Sequence, residues 1–179
     1  MALTVFQRTG VGTDELIGCF RSNAGAERER ARRRLVRIGL AAVPPLLRCL
    51  EDEEEIVRWE AAKTLKEIAE PSTAHALVAA LADPEQGVRW VASEAVIALG
   101  VRALPPLLEG IVRYADSIWF RESAHHILVV LSHAESLPPE GADVLHVLND
   151  FAPSSEHLTW TAHKSLCALA DRQDLHPEV

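Results

Sequence analysis

Cysteines, aromatic residues and long apolar runs are all scarce in this sequence. It has three cysteines, and aromatic residues make up 5% of the chain. No two cysteines form a Cys-x-x-Cys pair, so we expect Cys19, Cys49 and Cys167 to be small buried hydrophobic residues. No charged-then-apolar signal segment opens the chain, and no apolar run approaches the length of a membrane span. These absences predict a cytoplasmic protein that does not enter a membrane.

Motifs for catalysis and metal binding are also absent. The histidines include no His-x-x-x-His pair, and no Gly-x-Ser-x-Gly turn appears. We therefore expect no catalytic residue, no metal and no cofactor. Lysines and arginines number 18 against 26 aspartates and glutamates, which gives a net charge of −8. This acidic balance disfavours non-specific binding to nucleic acid or to anionic membranes.

The chain does contain an internal repeat. The stretch Val57–Leu65 returns 31 residues later as Val88–Val96. A period of about thirty residues, with apolar residues at helical spacing inside each copy, is typical of solenoids built from stacked helix pairs. The sequence therefore predicts an all-α solenoid of about five helix pairs.

Turn residues and prolines divide the chain into these pairs. Pro44-Pro45 and Pro105-Pro106 are expected in the first turn of a helix, where a missing N–H is no loss. We expect Thr13 and Ser72 to be N-caps. The predicted divisions are a lead-in at 1–12, helix pairs at 13–39, 41–70, 71–100, 101–134 and 137–170, and a tail at 171–179.

Alignment of the inward-facing positions predicts one column of small residues, which lets neighbouring helices approach closely. The column holds Ala31, Ala61, Ala92, Ser123 and Ala162. The same alignment places Phe120 in the column of Arg58 and Arg89.

The pattern of a helix, a turn with Asp and then Val-Arg-x-x-Ala-x-x-x-Leu resembles the repeats of the HEAT family. The short period is similar to that of the HEAT-like repeats of phycobilin lyase subunits. The resemblance covers about residues 13–170 and implies a right-handed α–α superhelix. It also implies a ladder between adjacent repeats, broken at Phe120, whose members are Asp52 or a neighbouring Glu, Asp83, Arg58 and Arg89.

In HEAT-like arrays the second helix of each pair lines the concave surface. The resemblance places there Trp59, Lys63, Trp90, Glu94, Arg121, His125, Trp160 and Lys164. Tryptophan and arginine dominate the energetics of protein interfaces, and indole faces also accept flat ligands or cations. The other interpretation is that each tryptophan covers the seam between repeats. The sequence leaves both interpretations open.

The first functional interpretation is a non-catalytic scaffold that binds a protein or peptide partner on this concave face. The alternative from the resemblance is a lyase, or a lyase subunit, that acts on a tetrapyrrole-bearing protein. Nucleic-acid binding is a third interpretation, which the net charge disfavours.

The two ends of the array carry their own predictions. Residues 21–37 hold seven arginines against two glutamates. Arg30 and Arg34 are expected to form a charged cap on the open N-terminal end, or to meet an acidic partner, with Glu51–Glu55 as the nearest internal candidate. The last pair has no such charged cap, and its apolar residues predict a homodimer or partner contact through repeat 5; these residues are Leu158, Trp160, Leu166 and Leu169.

Overall fold

The computed structural model describes residues 12–134, 136–150 and 154–175, and these ranges contain helices and turns without any strand. Residues 1–11 of the predicted lead-in at 1–12 lie outside the described residues. So do residues 176–179 of the predicted tail at 171–179. The ten α-helices of the described ranges are α1 (Thr13–Gly18), α2 (Gly25–Ile38), α3 (Val43–Cys49), α4 (Glu55–Ile68), α5 (Ala74–Ala79), α6 (Gln86–Leu99), α7 (Leu104–Arg113), α8 (Ile118–His133), α9 (Pro139–Leu148) and α10 (Ser155–Leu175).

The helices stack in two layers around one apolar core. In the layer of second helices, α2 packs against α4, α4 against α6, and α6 against α8. In the layer of first helices, α1 contacts α3 and α5 contacts α7. The fully buried core residues between the layers include Leu35, Leu65, Val96 and Ile127. The predicted all-α solenoid of five helix pairs is therefore confirmed.

The proline prediction holds, whereas the two predicted caps are wrong. Pro44-Pro45 and Pro105-Pro106 lie in the first turns of α3 and α7. Thr13 is already the first residue of α1, whose N-cap is Gly12 and has no side-chain bond. Ser72 lies inside a 3₁₀ turn, where its N–H donates to the side chain of Glu70 at 3.4 Å.

The fourth pair is displaced by one residue from the predicted alignment. Phe120 and Ala124 are fully buried, whereas Ser123 is only half-buried. Phe120 therefore takes the inward position of Val88, and Arg121 takes the arginine column. The prediction that Phe120 replaces the arginine is wrong, because the period from the third to the fourth pair is 32 residues, from Val88 to Phe120.

In the last pair the two helices lie in exchanged layers: α9 joins the layer of second helices, and α10 joins the layer of first helices. The main neighbours of α10 are α7 and α9, and α9 packs against α8. Two polar contacts agree with this arrangement: His125 of α8 bonds Asn149 at the end of α9 at 2.8 Å, and the hydroxyl of Ser155 in α10 donates to the carbonyl of Ala115 at 3.4 Å. The second helix of this pair thus extends the layer of first helices.

One stretch is apolar enough and long enough to span a membrane by composition. It runs through residues 86–113, and its most apolar 18-residue window has a mean hydropathy of 1.7. The stretch contains two helices, α6 and α7, which are separated by Gly100 with a φ of +63°. Because 56% of its most apolar window is buried, packing in the core accounts for this composition. The expectation that no apolar run approaches the length of a membrane span is therefore wrong for residues 86–113.

The cysteines and the C-terminal helix differ in part from the predictions. Cys49 is buried, Cys19 is half-buried, and Cys167 is exposed, so the prediction of a buried thiol is wrong for Cys167. Helix α10 continues to Leu175, beyond the predicted end of the repeat domain at 170.

Candidate functional site

A groove of about 410 Å³ lies between α6 and α8, and we call it the aromatic groove. Helix α6 contributes Gln86, Arg89, Trp90 and Ser93, and helix α8 contributes Trp119, Glu122, Ser123 and His126. Both helices belong to the layer of second helices, so the groove follows a seam between two successive repeats.

Trp90 covers part of this seam and still exposes most of its side chain. Its ring stacks on His126 of α8, with 5.4 Å between ring centroids and 26° between planes. Trp90 is nevertheless 57% exposed. One face of the indole packs on a neighbour, as the seam interpretation predicts, and the rest of the side chain remains accessible.

Trp119 forms the second aromatic wall of the groove. It is 53% exposed, and the guanidinium of Arg89 lies 4.8 Å from its ring centroid. Arg89 is itself held in place, because its Nη1 donates to the carbonyls of Asp83 and Pro84 at 2.8 Å each. This fixed cation packs against one side of the indole and leaves the other side open.

Sequence reasoning missed Trp119. The one-residue displacement of the fourth pair brings this residue next to Arg89, whereas the predicted alignment matched it with the buried Val88. The sequence did contain a signal: Trp119 directly precedes the inward-facing Phe120 in the first turn of a helix. No earlier turn of the helix packs against its side chain there.

The groove also has polar side chains. The Nε2 atom of His126 is buried beneath it and has no hydrogen-bond partner among the described residues. Glu122 is exposed, and Ser123 is half-buried on the same helix. Groups of this kind can orient a peptide by hydrogen bonds while the two indoles supply apolar contact area.

The predicted residues on α4 lie in a neighbouring seam. Trp59 is half-buried, and its Cδ1 would be 3.7 Å from a Cβ placed on Gly87 at the start of α6. Lys63 lies 4.3 Å above the Trp59 ring. Glu94 of α6 accepts from Lys66 of α4 at 2.9 Å. The contacts of Trp59 with Gly87 and of Lys66 with Glu94 join α4 to α6, so the seam interpretation describes Trp59 better than it describes Trp90.

The remaining predicted residues are spread over other parts of the chain. Arg121 is half-buried in the arginine column, and His125 bonds Asn149. Trp160 is 62% exposed, with Lys164 5.7 Å from its ring centroid. Because α10 packs against α7, Trp160 shares its groove with α7 and the turn that follows, and it does not continue the row of Trp59 and Trp90.

An arginine ladder connects the first three repeats. Arg28, Arg58 and Arg89 each donate from Nη1 to a turn carbonyl six residues earlier, at 2.7, 2.9 and 2.8 Å. Arg58 also pairs with Asp83 of the next repeat. This hydrogen bond to Asp83 is the main reason that the pKa of Arg58 is raised above its usual value.

Between the first and second repeats the ladder contact is made by Arg21. Asp52 pairs with Arg21 at the end of the first helix, and Glu54 accepts from the same guanidinium at 2.8 Å. The acidic turn is thus held by Arg21, and not by Arg30 or Arg34, for which it was the predicted internal partner.

The described residues contain no group of three or more His, Cys, Asp or Glu side chains placed to hold a metal. The aromatic groove is lined by two indoles, one held guanidinium and one carboxylate.

Residues 13–100 match the family model described as HEAT repeats. The match covers α1 to α6, in which the arginine ladder and the regular two-layer stacking are found. No curated protein matches the chain at a significant level.

Proposed function

We propose, from the premise that residues 13–100 are HEAT repeats, that this chain is a non-catalytic scaffold that binds a protein or peptide partner in the aromatic groove. The observation that carries the proposal is the pair of indoles, Trp90 and Trp119, which line one groove and are each more than half exposed. Exposed tryptophans held rigidly by a neighbour lose little entropy on binding, which makes them strong interface residues.

The magnitude supports specific recognition. A tryptophan side chain buries about 150–250 Å² when fully covered, so covering the exposed half removes roughly 100 Å² from water. At about 25 cal/mol per Å², this is about 2.5 kcal/mol for each indole. Two such contacts are enough to dominate the affinity of a small interface.

The tetrapyrrole alternative has less support from the geometry. It needs cations to meet the carboxylates of a flat pigment, and the predicted cations already have partners in the chain: Lys63 lies over Trp59, and His125 bonds Asn149. Its test is an absorbance titration with a bilin, in which a shifted visible band that is lost in a Trp90→Ala variant would favour it over the scaffold.

Crosslinking in native cells tests the scaffold. A photo-reactive amino acid at Glu122, which lines the groove, should trap a discrete partner, and the adduct should disappear when Trp90→Ala is added. The same probe at Arg102, an exposed residue outside the groove, is the matched control. Identical adducts from both positions, or adducts that persist without the indole, would contradict the proposal.

Self-association through repeat 5 remains a separate prediction. Leu158 is buried in the core and Leu166 and Leu169 are half-buried, so Trp160 is the residue of this set most available to a second copy. Light scattering of the pure chain should give a mass above that of a monomer, which falls to the monomer value in Trp160→Glu. A monomer at all concentrations would remove this contact.

A further inference from the structure

The N-terminal end of the array presents a second, chemically different groove, of about 480 Å³, between α1 and α2. Leu16, Cys19 and Ala31 line its floor; Leu16 and Ala31 are buried, and Cys19 is half-buried. Arg30, Arg33, Arg34 and Arg37 of α2 surround it, and all four are exposed. We call this surface the cationic end face. Glu15 and Glu27 also line it, and Glu27 accepts from the hydroxyl of Ser22 at 2.6 Å.

The arginines of this face differ from those inside the array. Arg28, Arg32 and Arg58 all form ion pairs with carboxylates of other helices or turns. By contrast, no ion pair within the described ranges engages Arg30, Arg34 or Arg37. Arg33 pairs with Glu29 on its own helix. The end face therefore carries three exposed guanidinium groups that have no ion-pair partner among the described residues.

The inner side of α2 shows what such a surface binds. There Arg28 and Arg32 hold the buried carboxylate of Glu60 at 3.0 and 2.8 Å, and Arg32 also holds Glu67 at 3.0 Å. The partner on that side is α4, a helix with carboxylates seven residues apart and small apolar residues between them. The outer side repeats the cationic half of this arrangement, because Arg30, Arg34 and Arg37 follow one another at i, i+4 and i+7.

We propose that the cationic end face binds an acidic amphipathic helix of another protein. Its apolar residues would lie against Cys19 and the aliphatic stems of the arginines, while its carboxylates would pair with Arg30, Arg34 and Arg37. The net charge of −8 disfavours a nucleic-acid backbone as the occupant. This site is independent of the aromatic groove, since it lies on α1 and α2.

A second copy of this chain is a poorer occupant. The segment with the matching pattern, α4, buries Glu60 and is enclosed between α2 and α6 in its own array. Residues 1–11 contain no aspartate or glutamate, so they cannot supply the carboxylates that the arginines require.

Fluorescence anisotropy of the full chain with a labelled synthetic helix tests the proposal. The probe is a peptide of about 15 residues with glutamates at i, i+4 and i+7 beside a leucine and alanine stripe, and its control has glutamine at these positions. At low salt the acidic peptide should bind about tenfold or more tightly than the glutamine peptide, and added salt should weaken it.

Two double variants decide where the peptide binds. Arg30→Gln with Arg34→Gln should weaken binding by about tenfold. Arg48→Gln with Arg102→Gln removes the same charge from exposed positions elsewhere and should change the affinity by less than about twofold. Circular dichroism checks that both variants retain their helices.

Four results would overturn the proposal. The first is equal affinity for the acidic and glutamine peptides, and the second is an equal loss in the two double variants. The third is displacement of the peptide by a short DNA duplex at lower concentration than by unlabelled peptide, which would make the face a polyanion site. Binding that appears only after removal of residues 1–11 would assign the groove to the chain's own N-terminal segment instead.

Discussion

The guanidinium of Arg58 binds both carboxylate oxygens of Asp83, with Nε 2.7 Å from Oδ2 and Nη2 3.0 Å from Oδ1. This paired contact joins the second repeat to the third, and both side chains are largely buried. Asp83 also accepts from the N–H of Glu85, so the carboxylate holds the turn that begins α6. The stacking of successive repeats is therefore fixed by polar geometry in addition to apolar burial.

Removal of this contact should destabilise the array. We expect Arg58→Ala to lower the free energy of unfolding by about 2–4 kcal/mol, because it leaves the buried Asp83 carboxylate without its counter-charge. Arg58→Lys keeps the charge without the paired geometry and should cost about half as much. The control is Arg33→Ala, whose pair with Glu29 is exposed and should contribute less than about 0.5 kcal/mol. Urea unfolding measures all three, and equal losses for Arg58→Ala and Arg33→Ala would contradict the role given to the ladder.

The tryptophans should separate into binding and structural classes. Trp90→Ala and Trp119→Ala should each weaken partner binding by about tenfold or more and change stability little. Trp59→Ala should lower the free energy of unfolding by about 1–3 kcal/mol, because this half-buried ring packs beside Gly87. Affinity of the crosslinked partner and urea unfolding measure the two properties. If Trp90→Ala unfolds the chain, the indole is a core residue and the groove assignment fails.

Three turns that follow second helices contain a residue with positive φ. Gly39 and Gly100 have φ values of +68° and +63°, whereas Ala69 adopts a left-handed conformation at +53°. We expect Gly100→Ala to destabilise the chain by about 1–3 kcal/mol, since a Cβ strains this backbone. Ala69→Gly should stabilise it by about 0.5–1 kcal/mol by removing the same strain. Thermal unfolding measures both changes, and a loss of stability in Ala69→Gly would show that strain at this turn is negligible.

Gly110 leaves the space that the ring of Phe120 occupies. A Cβ at this position would lie 2.6 Å from Cζ of Phe120 and 2.6 Å from Cγ1 of Val78. Gly110→Ala should therefore lower the free energy of unfolding by about 1–3 kcal/mol through overpacking. Adding Phe120→Leu should restore part of the loss, because it removes one of the two clashes. Strictly additive effects of the two substitutions would mean that the residues do not share this space.

Thiol reactivity should follow burial. Burial raises the pKa of Cys49, so its thiolate is scarce at pH 8 and the exposed Cys167 should react first with an iodoacetamide reagent. The raised pKa also means that the unfolded state loses this proton before the folded state does. Stability should consequently fall as the pH rises above the ordinary thiol pKa of about 8.5. Mass spectrometry of the labelled peptides checks the order, and labelling of Cys49 as fast as Cys167 would contradict it.

The sequence alone determined the all-α solenoid, the first helix pairs and the position of the prolines. These features are local or periodic. Pro44 and Pro105 are tolerated only at particular helix positions, and the two Val-Arg-Trp stretches lie 31 residues apart. The pairing of Arg58 with Asp83 was implied by the resemblance to the HEAT repeat family.

Tertiary packing decided the register of the fourth pair. Ile118, Trp119 and Phe120 are all apolar enough to face inward, so the periodicity of the sequence does not select one of them. The space beside Gly110 does, since a helix rotates by about 100° per residue and only Phe120 then points into it. This choice turns Trp119 toward Arg89 and creates the aromatic groove.

Tertiary packing also decided the order of the last two helices and the exposure of each indole. The apolar stripes of α9 and α10 can cover either layer, and contact with α8 and α7 assigns them in exchanged order. Trp59 and Trp90 occupy equivalent positions in the sequence, yet one is half-buried and the other is 57% exposed. Exposure depends on the side chains that the next helix brings against each ring, which are distant in sequence and are set only when the repeats stack.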